Sequence, residues 1–327
     1  MGSALWAGKR QAKKPVRMKL MVALGPGAGE GGAPPYGYEV AAGVAHSYEI
    51  ETGLRMPTAA AFATEPQIKE ETLVFHHHGK TKLLERRGPA VFARDAEDQR
   101  VQVALDLMAS ETALGAIEDP GRYPDLFMIR RAMLDWRFYH GFRTDIAAPL
   151  RQPYLAVATP TLASDASDLA AVLATLVYIR QDTAALSRAI SDAFPGAELE
   201  VPEPERTASF GMIFPEHPER VFDAAELSDG TLRYLALMGA LLAYRLPAFV
   251  ALNEPETSLH PALLPPLARL IAAAAQRTQI WVVTHSEMLA AALAEHGGIA
   301  PMTVIKRNGE TWIEGLTLAG EFRDNEE

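Results

Sequence analysis

The segment AELSDGTLRY, residues 225–234, places small and polar residues where a helix is predicted to begin. Ser228 is a good N-cap residue, and Gly230 lets the backbone come close to a ligand. The N–H groups in the first turn of such a helix, around Asp229, have no partners within the helix and attract phosphate. The residue types therefore fit a phosphate-binding helix end, and they also fit an ordinary helix cap.

A second group of polar residues follows the apolar run FVAL, which predicts a buried strand at residues 248–252. Asn253 and Glu254 come directly after this run. Ligands of open α/β sheets bind at the carboxyl ends of the strands. A carboxylate there can polarise water or, through water, help to hold Mg²⁺. Asn253 and Glu254 are therefore candidate metal-binding residues, and Glu254 is also a candidate catalytic residue.

His285 stands just past the next apolar run, in QIWVVTHSE. A histidine at the end of a strand can hydrogen-bond a phosphate oxygen or an attacking water. A structural histidine is the alternative, because a lone histidine has that role more often.

The last third of the chain must position these side chains, and its apolar pattern alternates between helix and strand. Helices are predicted at 228–245, 261–277 and 286–296, strands at 248–252 and 279–283, and a hairpin at 302–316 around Asn308-Gly309. Strands that are apolar throughout and alternate with helices indicate a parallel sheet covered by helices. The fold class is therefore α/β.

The first two thirds of the chain have a different apolar pattern. Residues 16–24, 36–40, 46–54 and 72–87 predict an antiparallel sheet with short connections, with Gly79 in the turn of the last hairpin. Residues 101–116, 125–139 and 162–194 carry apolar residues at helical spacing. Within this helical part, Trp136, Phe138, Tyr139 and Phe142 are predicted to lie in the core.

Composition excludes several classes of protein. The chain has 327 residues, of which 48% are hydrophobic, so it can bury a core, and it has no cysteine, which excludes disulfides, zinc–thiolate sites and Cys nucleophiles. Its net charge of −10 argues against a broad nucleic-acid-binding surface. No apolar stretch is long enough to span a membrane and no signal peptide is recognisable, so we expect a cytoplasmic protein without membrane contact.

Three segments, LSDGT, FVALNEPETSLHP and VVTHS, resemble the ABC-class ATPases in order and spacing. Within that class they are most similar to the SMC/RecF-like branch and its short "AAA family ATPase" relatives. The resemblance is strong over about residues 222–293, and residues 134–153 and 166–176 resemble the same relatives more loosely. It implies the P-loop NTPase-like fold of an ABC ATPase head, with ATP and Mg²⁺ as cofactors and ATP sandwiched between two subunits.

The resemblance also implies roles for single residues. LSDGT is then the signature motif, in which Ser228 and Gly230, with Asp229 between them, contact the γ-phosphate of ATP held by a second subunit. Ser258, in SLHP, belongs to the D-loop at the dimer interface, and His285 is the switch histidine that senses the γ-phosphate.

FVALNE resembles the Walker B strand, in which Glu254 is the general base that orients water. The family usually has Asp at the position of Asn253. Asn can accept a hydrogen bond from a metal-bound water but brings no charge, so we expect weaker Mg²⁺ binding.

A P-loop requires G-x-x-x-x-G-K-[ST], and no segment of the chain fits this pattern. The glycine cluster at 25–32 has no following Lys-Ser/Thr and is interpreted as a hairpin loop. The Gly79-Lys80-Thr81 triplet has Val74 where the first glycine should stand. We expect that the chain begins just after the P-loop strand and helix, binds ATP poorly by itself, and leaves an apolar face of its central sheet uncovered.

By this resemblance the chain divides into an antiparallel β-subdomain at 1–96, a helical insertion at 97–198, a core with the signature, Walker B and switch motifs at 199–320, and an acidic tail at 321–327.

His76, His77 and His78 are interpreted as part of an exposed hairpin arm rather than a metal site. The basic residues of the amino terminus form either a DNA-contacting patch or a solvated strand face; they are Lys9, Arg10, Lys13, Lys14, Arg17 and Lys19.

Two functions remain open at this point. The first is an ATPase of the SMC/RecF-like type that works as a nucleotide-gated homodimer in DNA maintenance or defence. The second is a non-catalytic module, truncated or degenerate, that binds a P-loop-bearing partner subunit or DNA.

Overall fold

The computed structural model describes residues 17–25, 46–54, 65–76, 79–181, 183–307 and 310–315. They fall into two compact units. The first contains the described residues up to Leu134 and from Met302 onward, and the second runs from Asp135 to Pro301. Several predicted features lie outside the described residues: the strand at 36–40, most of the glycine cluster, His77 and His78, the basic residues before Arg17, the Asn308-Gly309 turn and the acidic tail. The division at 96/97, 198/199 and 320/321 stays a prediction.

The first unit is built on a six-stranded antiparallel meander. Its strands are β1 (Arg17–Leu24), β2 (His46–Leu54), β3 (Pro66–His76), β4 (Lys80–Arg87), β5 (Ala90–Arg94) and β6 (Arg100–Val103). Each strand pairs with the next along the chain, and β3 pairs with β4 as the predicted hairpin. The alternate burial along β5 shows a sheet with one buried face.

Two helices, α1 (Ala113–Ala116) and α2 (Pro124–Leu134), share an apolar core with this sheet. Leu73, Leu84 and Leu126 are completely buried there. The hairpin of β15 (Val304–Arg307) and β16 (Glu310–Ile313) also belongs to the first unit and confirms the predicted pairing.

The prediction of a helix at residues 101–116 is wrong. The segment begins in β6, which pairs antiparallel with β5, and only its last four residues are helical. Val101 and Val103 are β-branched and pack against the core of the meander, and this sheet partner outweighs the helical spacing.

The second unit contains a three-stranded parallel sheet with the strand at residues 249–253 in the middle, between those at 279–283 and 137–139. These strands are β7 (Arg137–Tyr139), β13 (Phe249–Asn253) and β14 (Gln279–Val283). Val250 and Leu252 in the central strand are buried under helices, as predicted for a helix-covered parallel sheet.

The helix predicted at residues 125–139 is therefore wrong at its end. Helix α2 stops at Leu134, and residues 137–139 form a strand because they pair in parallel with β13. Tyr139 and Phe142 are buried as predicted, whereas Phe138 is 57% exposed.

Five helices share one apolar core with the parallel sheet. They are α3 (Leu169–Ala174), α4 (Ala184–Ala193), α5 (Asp229–Leu242), α6 (Leu264–Ala275) and α7 (Glu287–Gly297). Helix α3 continues as a π-helix, Thr175–Arg180, and a 3₁₀ turn, Pro261–Leu263, leads into α6. Helix α5 is buried almost all round from Leu232 onward, which makes it the central helix of the unit.

Small antiparallel pairs complete the second unit. They are β8 (Tyr154–Leu155) with β10 (Thr207–Ala208), and β11 (Gly211–Ile213) between β9 (Glu198–Glu200) and β12 (Val221–Asp223). Another 3₁₀ turn, Pro149–Arg151, precedes β8. No helix among the described residues combines the length and apolar character that a membrane crossing requires.

Candidate functional site at the carboxyl edge of the parallel sheet

Three loops leave the parallel sheet at the same edge because its three strands run in the same direction. His140 follows β7, Glu254 follows β13, and Thr284 and His285 follow β14. The sheet therefore gathers residues from three segments that are far apart in the sequence.

Glu254 and His285 meet at this edge, with His285 Nε2 at 3.4 Å from Glu254 Oε1. The histidine side chain is 83% exposed and the carboxylate 44% exposed, so both are open to a ligand. The backbone N–H of Glu254 donates to the carbonyl of Val283 at 2.7 Å, which fixes the two loops side by side. The structure thus brings together the two residues that were predicted to be catalytic.

Asn253 contacts a residue that was not predicted. Its Nδ2 lies 3.0 Å from His140 Nδ1, so the amide can donate to a ring nitrogen. This arrangement leaves Asn253 Oδ1 free to accept from a metal-bound water. Among the described residues, no three His, Asp or Glu side chains form a group that could hold a metal ion by themselves.

The beginning of α5 forms a second part of the site. Ser228 Oγ accepts from the backbone N–H of Thr231 at 3.1 Å and lies 2.8 Å from its hydroxyl, so Ser228 is the N-cap as predicted. When the Thr231 hydroxyl donates, Ser228 keeps its own proton for another acceptor. The helix end is exposed at Ser228 and Asp229.

Gly230 lies against the loop that follows β13. A Cβ atom at this position would be 3.0 Å from the carbonyl oxygen of Ser258, which is closer than side chains normally come. The glycine therefore allows the predicted signature and D-loop segments of one chain to touch.

The loop between the two parts of the site has an unusual backbone. Glu254 has φ +46° and Ser258 has φ +65°, both in the left-handed region that residues other than glycine rarely occupy. Such conformations cost on the order of 1–3 kcal/mol each and persist where the surroundings hold them. Both of these residues were singled out from sequence.

Arg151 holds the segment that leads into α5. Its guanidinium donates to the carbonyls of Thr144 at 2.9 Å, Ala225 at 3.0 Å and Leu227 at 2.8 Å. It also pairs with Asp229 at 2.7 Å, while its own side chain is only 9% exposed. The arginine therefore neutralises a carboxylate that would otherwise repel an anion at the helix end.

The family of the chain follows from a comparison with known protein families. Residues 57–291 match the family described as "AAA domain, putative AbiEii toxin, Type IV TA system", and this match covers well over half of the chain. The chain belongs to this AAA-domain family. No curated protein matches the sequence.

Solved structures similar to this AAA-domain chain include SMC head domains. The Smc head domain with a coiled coil and joint from Pyrococcus yayanosii is 18% identical, with a TM-score of 0.35, and the match covers 45% of this chain but only 28% of that one. The SMC head domain from Thermotoga maritima is 14% identical (83% and 74% covered, TM-score 0.36). The Smc head domain from Pyrococcus furiosus, bound to the C-terminal domain of ScpA, is 10% identical (84% and 78% covered, TM-score 0.40). Similarity at this level assigns neither residues nor partners to the AAA-domain chain.

One face of the parallel sheet carries exposed aromatic side chains. Phe138 is 57% and Trp281 58% exposed, and both rings lie beside Phe249 on the central strand, with centroid distances of 5.9 and 6.4 Å. Parallel sheets are normally covered on both faces. An uncovered apolar face of the central sheet was expected from the sequence, and the described residues present one here.

Sequence reasoning missed three side chains that hold this site: His140, Arg151 as a support for α5, and Glu256. His140 follows a three-residue strand, which is too short to show a period. Glu256 stood inside the segment NEPETSLHP, but its role depends on donors from residues 284–286, which a sequence pattern does not reveal.

Proposed function

We propose that this AAA-domain chain is an ATP-binding and ATP-hydrolysing subunit of the ABC class, SMC/RecF-like in type, with the nucleotide held at an interface between two subunits. The observation that carries the proposal is the approach of His285 to Glu254 at the carboxyl edge of a parallel sheet. Membership in an AAA-domain family supports it.

The residues fit a nucleotide at two places. The end of α5 offers free backbone N–H groups and the Ser228 hydroxyl to a phosphate, with the charge of Asp229 balanced by Arg151. Mg²⁺ usually takes one or two carboxylates together with phosphate and water oxygens. Glu254 and the free oxygen of Asn253 fit such a partial set, so phosphates and waters would supply the other ligands.

Bound ATP would supply the transferable γ-phosphoryl group. In this proposal Glu254 orients a water and accepts its proton, and His285 holds the carboxylate and contacts the phosphate. Ser228 and Gly230 reach the nucleotide of the other subunit, and Ser258 lies at the same interface. The left-handed backbone at Glu254 and Ser258 is consistent with a loop held in one shape for this purpose.

The test compares the full chain alone and together with a P-loop-bearing partner subunit. ATP hydrolysis is measured with Mg²⁺, and subunit association is measured by sedimentation with and without ATP. Glu254→Gln should reduce turnover by about 10²–10⁴-fold, the range for loss of a general base, while ATP-dependent association persists. Glu287→Gln, an exposed carboxylate in the first turn of α7, is the matched control. Unchanged turnover in Glu254→Gln would refute the assignment of the base.

A second candidate function is a non-catalytic, ATPase-like module that completes a site on a P-loop-bearing partner. The exposed aromatic face of the parallel sheet and the lack of a P-loop pattern in the 327 residues favour it. It predicts a stable complex without hydrolysis by this chain. The captured partner should contain G-x-x-x-x-G-K-[ST] by mass spectrometry, and Trp281→Lys should weaken capture. Equal capture by Trp281→Lys would argue against this face as the contact.

Contact with DNA through the basic amino terminus is a separate part of the proposal. Lys9, Arg10, Lys13 and Lys14 lie outside the described residues. Arg17 and Lys19 in β1 pair with Glu51 and Glu49 of β2, which already offsets their charge. Binding of a labelled DNA duplex that weakens with added salt would support this contact.

A further inference from the structure

Glu256 joins the loops that follow two neighbouring strands. Its Oε1 accepts the Thr284 hydroxyl at 2.6 Å and the backbone N–H groups of His285 at 3.0 Å and Ser286 at 3.2 Å. These three donors come from the segment that carries His285 and leads into α7. A carboxylate receiving several such donors forms charge-assisted bonds, which are stronger than those between neutral groups.

These bonds fix the backbone at His285. Within the described part of the chain, the exposed His285 side chain contacts only Glu254. The Glu254 N–H bond to Val283 is a second connection between the same two loops. The separation of Glu254 and His285 is therefore set by the backbone around them. Glu256 supplies most of the side-chain bonding that holds it.

Arg233 of α5 also contacts the loop that follows β13. Its Nη2 donates to the carbonyl of Glu254 at 3.2 Å, and the side chain is 9% exposed. Burial lowers the pKa of Arg233, and the nearby Glu256 and Glu254 oppose this effect. Arg233 Nε and Glu256 Oε2 are both buried and have no hydrogen-bond partner in the described part of the chain. The loop that follows β13 thus contains a carboxylate with one buried oxygen, Glu256, and is contacted by a buried guanidinium, Arg233.

We propose that Glu256 is a positioning residue that sets the place of His285 relative to Glu254, with Arg233 of α5 as its counter-charge. The inference rests on the proposed function only for the catalytic roles of Glu254 and His285. The positioning itself is a property of this chain without nucleotide. A shift of α5 would reach the Glu254–His285 pair through Arg233 and the Glu254 carbonyl.

The test follows the His285 amide in the full chain without ATP. Selective ¹⁵N-histidine labelling gives at most nine backbone amide signals, one per histidine, and His285→Gln identifies the one that belongs to His285. In Glu256→Ala this amide should exchange with solvent at least about tenfold faster than in the wild type, and its proton resonance should move upfield, because the carboxylate acceptor is gone. Glu256→Gln, which keeps an acceptor without its charge, should give an intermediate shift and rescue part of the protection.

Two controls keep the outcome clear. Glu287→Ala removes an exposed carboxylate near the same amide and should leave its shift and exchange unchanged. Thermal unfolding of each variant separates a local effect from general loss of structure. Histidine signals from the first unit should stay unchanged when the effect is local. If the His285 amide in folded Glu256→Ala or, should that variant not fold, in Glu256→Gln behaves as in the wild type, the proposal is overturned. Because no nucleotide is present, this result is independent of whether the chain hydrolyses ATP.

Discussion

Arg151 offers a sharp test of how the start of α5 is held. It ends the 3₁₀ turn before β8 and contacts the segment that leads into the helix. Arg151→Ala removes every one of these donors at once. The partner carbonyls are then left without their charged donor in a place that is only partly open to water.

The magnitude follows from the contacts. Three close bonds reach backbone carbonyls, at 2.9, 3.0 and 2.8 Å, and a fourth contact to the Ala224 carbonyl is weaker at 3.4 Å. Hydrogen bonds to charged groups contribute about 1.5–3 kcal/mol each, and some of these carbonyls will regain water after truncation. We therefore expect the free energy of unfolding to fall by about 3–5 kcal/mol. The pair with Asp229 adds little because that carboxylate is 61% exposed.

Arg143→Ala is the matched control in the same segment. Arg143 also pairs with an aspartate, Asp145, but the two side chains are 67% and 51% exposed. Its loss should leave the free energy of unfolding almost unchanged, because water screens an ion pair that is this exposed. Arg151→Lys should lie between the two alanine variants because an ammonium cannot reach all of the carbonyls.

The assay is urea unfolding followed by circular dichroism and by tryptophan fluorescence, since Trp136 and Trp281 both lie in the second unit. The expected order of stability is wild type, Arg143→Ala, Arg151→Lys, Arg151→Ala. If Arg151→Ala unfolds at the same urea concentration as Arg143→Ala, with an unchanged slope, the carbonyl contacts do not hold α5 and the reasoning is refuted.

Two further predictions concern buried polar groups. Glu71 is completely buried and accepts from the Tyr48 hydroxyl and from two N–H groups at the start of α1. Glu71→Gln should therefore lower the free energy of unfolding in urea by about 2–4 kcal/mol. Glu70→Gln, at an exposed position on the other face, should leave it almost unchanged, and equal stabilities of the two variants would contradict this role of Glu71. Burial raises the pKa of the Tyr48, Tyr139 and Tyr234 hydroxyls in the folded chain, so their contribution to stability is fully present below the unfolded value of about 10 and is lost as the pH rises above it. Melting temperatures should therefore fall above about pH 10, and less steeply in Tyr139→Phe; an identical fall in that variant would contradict the assignment.

Much of the second unit could be predicted from its amino-acid pattern. The runs FVALN and QIWVV are too short and too apolar for surface helices and are followed by polar residues, and both form strands. Ser228 and Ser286 were recognisable as helix starts because their hydroxyls precede apolar helical spacing, and both cap helices.

The errors have a common physical cause. Residues 101–103 and 137–139 carry apolar residues at a spacing that fits more than one structure, and their strand form depends on partners elsewhere in the chain. The near-helical spacing of Phe138 and its aromatic neighbours predicts a place in the core. It is exposed because the pleat of β7 turns it to the face that the helices do not cover.

The residue types of the site and the order of the elements that carry them could be inferred from the sequence alone: a capped helix, a strand followed by Glu254, and a strand followed by Thr284 and His285. These features depend on local spacing, which the sequence contains directly. The folded chain adds two contacts that the sequence does not reveal: His140 lies beside Asn253, 113 residues away, and Glu256 binds the backbone of residues 285 and 286 and the hydroxyl of Thr284. Such contacts arise when parallel strands align their carboxyl ends, and hydrogen bonds between segments that are distant in sequence leave no periodic signal in the sequence.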